Sequence, residues 1–323
     1  MAQIVLMRRD PSQTTGRLSR DDRKVAPAKE TNNKQQTTKT KMKLNKSIVA
    51  LTSLVAFAAT PLFAGTGKTF TETVVIEEEE SSWYNAALST GYDSLYMFRG
   101  VNTLGGAGTG YGNSLWWTDA NFTWNISDND TLTIGGWQAF GLSAASYREF
   151  DAYLSYVHSF GDLSVGLGYT FYYVFPPGSS YYANELNARV AYAIDLGFMT
   201  LTPAATYFFN LGPDNDTGAA NGLVNTASSY LDLRVNGSIP VINDVLSIDP
   251  WTAFGLNFGY NLDANLQQFD GANNIEFGVA IPWKVNDIIT VSGYVAYSYA
   301  FEDLYGTTAA DTFWGGGKVT FAF

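Results

Sequence analysis

The chain has 323 residues and a net charge of −11, with aromatic and charged side chains at 15% each and no cysteine. Lacking cysteine, it can form neither disulfides nor thiolate metal sites, and thiol catalysis is excluded. Acidic helical proteins are built on Glu, Lys, Ala and Leu. The Tyr, Phe, Gly, Asn, Thr and Ser that dominate here belong to strands and turns.

Charge divides sharply along the chain. Residues 1–64 carry 12 Lys and Arg against 4 Asp and Glu, a net +8, while residues 65–323 carry 7 against 26, a net −19. Residues 1–41 hold almost no large apolar side chain after Met7, so they cannot bury enough surface to offset ordering. They are expected to be a disordered extension upstream of a start at Met42, not a nucleic-acid-binding arm. From Met42 the pattern is that of a secretory signal over 42–64. Lys43 and Lys46 open it, Ile48 to Ala59 form a short apolar stretch, and Pro61 to Ala64 end it with a small residue before Gly65. Residues 65–82 form an acidic leader ending in Glu77 to Glu80, expected to be solvated in the periplasm.

From Trp83 the periodicity changes to two. Leu163, Val165, Leu167, Tyr169, Phe171 and Tyr173 alternate with Ser164, Gly166, Gly168, Thr170 and Tyr172. Ile275, Phe277, Val279, Ile281 and Trp283 alternate in the same way with small or charged residues. Such alternation means strands with one face in an apolar medium. Twelve segments are predicted: 84–101, 114–126, 131–142, 148–160, 163–174, 182–194, 198–210, 228–240, 245–259, 273–285, 288–301 and 312–323. Their connections alternate between tight turns (such as Gly161-Asp162 and Asn286-Asp287) and mostly longer loops (such as 102–113, 211–227 and 260–272).

Sorted loops, an even strand count and aromatic residues at the ends of the apolar faces define the expected fold. It is all-β, a transmembrane antiparallel up-and-down barrel of 12 strands over 83–323, set in outer-membrane lipid with both termini in the periplasm. The opposite faces, rich in Gly, Ala, Ser and Thr, are expected to leave room for water. The last strand ends at Phe323 with Phe321 and Val319 on the same face. It resembles the C-terminal strand by which outer-membrane barrels engage their assembly machinery.

Ser94-Leu95-Tyr96-Met97-Phe98-Arg99-Gly100-Val101 resembles the Ser-Asp-Tyr-x-Phe-Arg-Gly opening of the TorF-like family of outer-membrane porins. Leu95 departs from that pattern, standing where the family usually has Asp. The resemblance covers eight residues and implies an outer-membrane location and a pore, but no substrate. For Phe98, Arg99 and Gly100 two readings are open. Either they shape the extracellular end of the first strand, or Arg99 binds a ligand.

Parity assigns the interior charges. Asp93, Arg99, Asp119, Glu149, Asp151, Glu185, Arg189, Asp232, Arg234, Asp249, Glu276, Lys284 and Lys318 are the candidate pore-lining residues, eight acids and five bases. Glu185 with Arg189, and Asp232 with Arg234, lie on the same strands and could pair across the interior. Charged rings set pore selectivity, so the acid excess predicts a weak cation preference for small hydrophilic solutes.

Catalysis has little to work with. The single histidine, His158, shares the parity of Phe150, Ala152, Leu154 and Tyr156, so it should face lipid, while Ser159 points the other way. Glu149 and Asp151 share a face without an evident partner. Asp214 to Gly218 has only a slight likeness to a calcium loop, lacking the distal Glu and flanking helices. No cofactor motif is present. The expected function is therefore passive diffusion of small hydrophilic solutes. A non-conducting structural or adhesive barrel is the alternative, and a surface hydrolase a distant third.

Overall fold

The computed structural model describes residues 83–104, 114–142, 147–175, 181–212, 228–263, 267–301, 304 and 311–323. The expected extension, signal, leader and calcium-like loop lie outside these residues. Among them, twelve strands form the wall. They are β1 (Tyr84–Asp93), β2 (Leu115–Ser127), β3 (Asp130–Gly141), β4 (Arg148–Phe160), β5 (Leu163–Phe175) and β6 (Tyr181–Tyr192), followed by β7 (Thr200–Gly212), β8 (Ser228–Ile242), β9 (Leu246–Leu262), β10 (Gln268–Lys284), β11 (Ile289–Ala300) and β12 (Thr312–Ala322). Each pairs antiparallel with its sequence neighbour.

Closure comes from β12 against β1, with Ala87 opposite Ala322 and Asp93 opposite Gly316. Reciprocal bonds between Ala86 and Phe323, at 3.0 and 2.8 Å, extend that seam to the chain's last residue. Among the described residues the wall is left without a free edge. The result is a closed twelve-stranded antiparallel barrel.

One end of the barrel carries the tight turns and both ends of the wall, Tyr84 and Phe323; the other carries the longer connections. We call these the turn end and the loop end. The strands, 10 to 17 residues long, reach the roughly 9–11 residues that a tilted strand needs to span a bilayer.

The outer surface is apolar. Leu154, Leu167, Phe277 and Ile281 point outward from mid-strand and are 44 to 60% exposed. A soluble protein would not leave such a continuous apolar surface uncovered. Two aromatic belts bound it. Trp83, Phe160, Phe198, Trp283 and Phe323 are exposed at the turn end, and Tyr92, Trp116, Phe140, Phe150 and Phe313 at the loop end. His158 lies on the outward row of β4 near the turn end, 2.7 Å from Asp130 and ring-on-edge with Phe160.

Two expectations need correction. The first strand does not run to residue 101. It ends at Asp93, and residues 94–104 turn into the barrel, where Tyr96, Met97, Arg99 and Leu104 are buried. Nor does the polar parity leave the interior to small residues. Trp117, Trp137, Tyr153, Tyr172, Tyr230, Trp251, Tyr294 and Trp314 all point inward and are buried. The small residues between them serve as sockets: a Cβ at Gly278 would collide with the Trp251 ring, one at Gly135 with Tyr153, and one at Gly255 with Tyr230. Trp251, Tyr153 and Tyr230 occupy the space that a side chain at these glycines would need.

Candidate functional site

The segment after β1 is a hairpin. Met97 and Phe98 pair with Asn102 and Val101, and the Thr103 amide donates to the Tyr96 carbonyl at 2.9 Å. Its two central residues are Arg99 (φ 49°) and Gly100 (φ 80°). Two successive positive φ values make a turn whose twist suits a two-residue hairpin. At Gly100 the conformation favours glycine, and so does the space, since a Cβ would stand 2.6 Å from Asn274 Cγ. The eight-residue motif thus forms an inserted hairpin, not the end of a wall strand.

Arg99 is the hairpin's anchor. Its two terminal guanidinium nitrogens donate to Glu185 Oε2 and Oε1 at 2.6 and 2.8 Å. Tyr172 donates to Glu185 Oε1 at 3.1 Å and Tyr260 to Oε2 at 3.0 Å. The guanidinium carbon lies 4.0 Å from the Phe208 ring centre, 4.2 Å from Tyr260, 4.7 Å from Phe98 and 5.5 Å from Tyr230. The Arg99 carbonyl accepts from Asn273 Nδ2 at 2.8 Å and Asn261 Nδ2 at 3.1 Å. A buried guanidinium needs this much compensation, because its desolvation must be offset by both charge and hydrogen bonds.

Aromatic clusters pack the hairpin on either side. Tyr96 and Leu104 lie among Leu115, Trp117, Trp137 and Tyr147, and Met97 lies among Trp251, Tyr294 and Trp314. The first cluster lies toward the loop end of β2 and β3, and the second, with Trp251 and Ala280, reaches past the middle of β9 and β10 toward the turn end. Toward the turn end the inward residues are mostly small, among them Ser89, Thr123, Thr133, Ser155, Ser164, Gly166, Ser292 and Thr320.

Four of the interior acids accept hydrogen bonds from aromatic side chains. Tyr294 donates to Asp93 at 2.6 Å, Tyr153 to both oxygens of Asp119 at 3.1 Å, Tyr147 to Glu149 at 2.6 Å and Trp251 Nε1 to Glu276 at 2.8 Å. Asp151 is buried opposite Trp137 and Tyr172. Arg234 pairs with Asp232 at 3.3 Å, as parity suggested, and lies 3.7 Å from Glu276. Glu185, which could have paired with Arg189, is instead paired with Arg99. Arg189 is half-buried at the level of Thr206, which also stands opposite Asp232. Asp249 accepts from Ser238 at 2.8 Å, and Lys318 is half-buried opposite Ser292 and Gly91. Lys284 reaches the exposed turn residue Asp287 at 3.2 Å, which places it at the mouth.

Sequence reasoning missed Phe208, Tyr230, Tyr260, Asn261 and Asn273. Tyr172 did carry a signal, as the one aromatic residue among Gly, Ser and Thr on its face. Tyr260 had none. It turns inward only because the ladder is irregular between Phe258 and Leu262, with Gly259 at φ 71°.

Wall and site together define a closed β-barrel whose lumen holds a latched segment of its own chain. No protein-family model matches the sequence, and no curated protein matches it. Among solved structures, a NanC porin is 9% identical, with a TM-score of 0.44 over 73% of this chain and 98% of the porin. An outer membrane channel from Pseudomonas putida F1 is 10% identical, with a TM-score of 0.49 over 76% of this chain and 100% of the channel. A KdgM porin is 9% identical, with a TM-score of 0.42 over 73% and 99%.

Proposed function

We propose that the protein is an outer-membrane channel for small hydrophilic solutes, held closed in this conformation by the Arg99 hairpin, and that it is related to the TorF-like porins. The observation that carries this reading is the contrast between the two ends of the lumen. Small polar residues, most of them buried, predominate among the inward side chains near the turn end, while an inserted hairpin and aromatic clusters pack the interior from the loop end to beyond mid-barrel. A barrel built only for rigidity has no need of a separate chain segment to close it. The apolar outer face and its aromatic belts support outer-membrane lipid as the surrounding medium.

Further parts of the reading rest on sequence. Residues 42–64 direct export and are removed, and the final strand ending at Phe323 engages the assembly machinery. The turn end faces the periplasm. The eight acids and five bases give the open channel a weak cation preference.

A non-conducting barrel is the second reading, favoured by the complete enclosure of Trp137 and Trp314. Planar-bilayer recordings separate the two. Wild type should show rare openings, and replacing residues 96–103 by a short Gly-Ser linker should increase the mean current severalfold. No current from either protein would favour the structural barrel.

A further inference from the structure

We propose that Glu185, Phe208, Tyr230 and Tyr260 form a receptor for guanidinium-bearing solutes, and that Arg99 fills it in cis as a tethered stand-in. The inference rests on the channel reading and names a solute class for it.

The chemistry of the cage selects that group. Glu185 offers both oxygens to a planar fork, and the two bonds at 2.6 and 2.8 Å show the match. Ring faces of Phe208 and Tyr260 lie 4.0 and 4.2 Å from the cation centre, as in aromatic cages that take organic cations. A compact, strongly hydrated metal ion gains neither the fork nor the ring contacts.

The cage also stands without the hairpin. Glu185 is on β6, Phe208 on β7, Tyr230 on β8 and Tyr260 on β9, four consecutive wall strands. Tyr172 on β5 and Tyr260 hold the two carboxylate oxygens from the wall. Of the four rings around the guanidinium, Phe98 alone belongs to the hairpin. The turn has a second hold besides the Arg99 side chain, because Asn261 and Asn273 donate to the backbone carbonyl, so the hairpin can form while its side chain is displaced and is held less firmly then. Arg99 moreover sits at φ 49°, a region costly for a side-chain-bearing residue, in a ladder of two pairs. A free guanidinium therefore competes against a strained tethered one.

The test uses the full barrel in detergent, with guanidinium chloride far below its denaturing range and sodium chloride at equal ionic strength. Arg99→Ala should lower the thermal midpoint. Guanidinium should restore it at a concentration about tenfold lower than any effect of sodium, as expected for a bidentate charged pair. Arg99→Gln combined with Glu185→Gln leaves no lone buried charge and should ignore guanidinium. If Arg99→Ala does not assemble, its folding yield in the two salts is read instead, and equal yields overturn the proposal. In bilayers, guanidinium should raise the wild-type open fraction severalfold over sodium. A purely structural clamp would leave a conducting wild type unmoved by guanidinium, and that result overturns the proposal. Rescue without current in any variant would retain the cage and reject the channel. Current without discrimination between the two cations would retain the channel and reject the cage.

Discussion

Arg99 and Glu185 stand 86 residues apart in sequence and meet across the barrel interior in a two-point ion pair of 2.6 and 2.8 Å, both side chains enclosed. Each is held from behind. Asn273 and Asn261 grip the Arg99 backbone, and Tyr172 and Tyr260 brace the Glu185 carboxylate. The pair thereby fixes where the chain goes after it leaves the first strand.

Breaking one side of this pair leaves the other charge buried. Arg99→Ala alone should therefore destabilise the barrel by about 3–5 kcal/mol. Removing both charges, with Arg99→Gln and Glu185→Gln, should cost clearly less than the sum of the single changes. Thermal unfolding in detergent, run as a double-mutant cycle, measures the coupling; strict additivity would deny that the two residues act as a unit.

Gly100 and Gly161 both have positive φ, 80° and 66°, yet they differ in surroundings. A Cβ at Gly100 meets Asn274 and Asn273, whereas one at Gly161 meets nothing within 4 Å. Gly161→Ala should cost about 1–2 kcal/mol, the conformational penalty alone. Gly100→Ala should cost more, adding overpacking of about 1–3 kcal/mol. Equal losses of stability for the two variants would show that the hairpin is not seated against Asn274.

The glycine sockets can be tested by folding yield. Gly278→Val should block assembly because the Trp251 ring lies where its side chain must go. Gly293→Val faces outward, its only near atom a carbonyl oxygen 4.0 Å away, and should assemble normally. The readout is the heat-dependent shift in gel mobility that folded barrels show. Normal assembly of Gly278→Val would place Trp251 elsewhere.

Orientation follows from the sorted connections. Peptide tags inserted within 213–227 should be labelled on intact cells, and tags at Asn243-Asp244 only after permeabilisation. The reverse labelling would invert the barrel, and equal labelling of both would contradict a membrane-spanning wall.

Ion preference should depend on charges that solvent reaches. Asp249 is half-buried on the small-residue side of the lumen, where an effective dielectric below that of water strengthens its field. Asp249→Asn should lower the cation preference of open channels. Asp263→Asn at the loop end, screened within about 10 Å at ordinary salt, should leave it unchanged. Reversal potentials under a salt gradient decide this, and indistinguishable values for wild type and both variants would reject the lumenal acids as a selectivity element.

The wall was legible in the sequence because strand parity is local. Leu163 to Tyr173 show which side chains share a face, and turn residues such as Gly161-Asp162 show where the chain reverses, with no knowledge of distant contacts. Ten of the twelve segments consequently match to within three residues, while the first ends eight residues sooner than expected and the tenth begins five residues earlier. Parity also turned His158 outward and paired Asp232 with Arg234. What it could not supply was the content of the lumen. An aromatic ring is apolar to a periodicity argument, so nothing in Trp251 or Tyr153 announces that its N–H or O–H meets an acid inside. The sockets at Gly278 and Gly135 exist only once strands have paired in register. The exit of the chain at Asp93, the partner of Arg99 and the inward turn of Tyr260 depend on contacts between residues far apart in sequence. Such contacts acquire geometry only when β12 closes on β1, and the interior of this barrel was therefore decided by the tertiary structure.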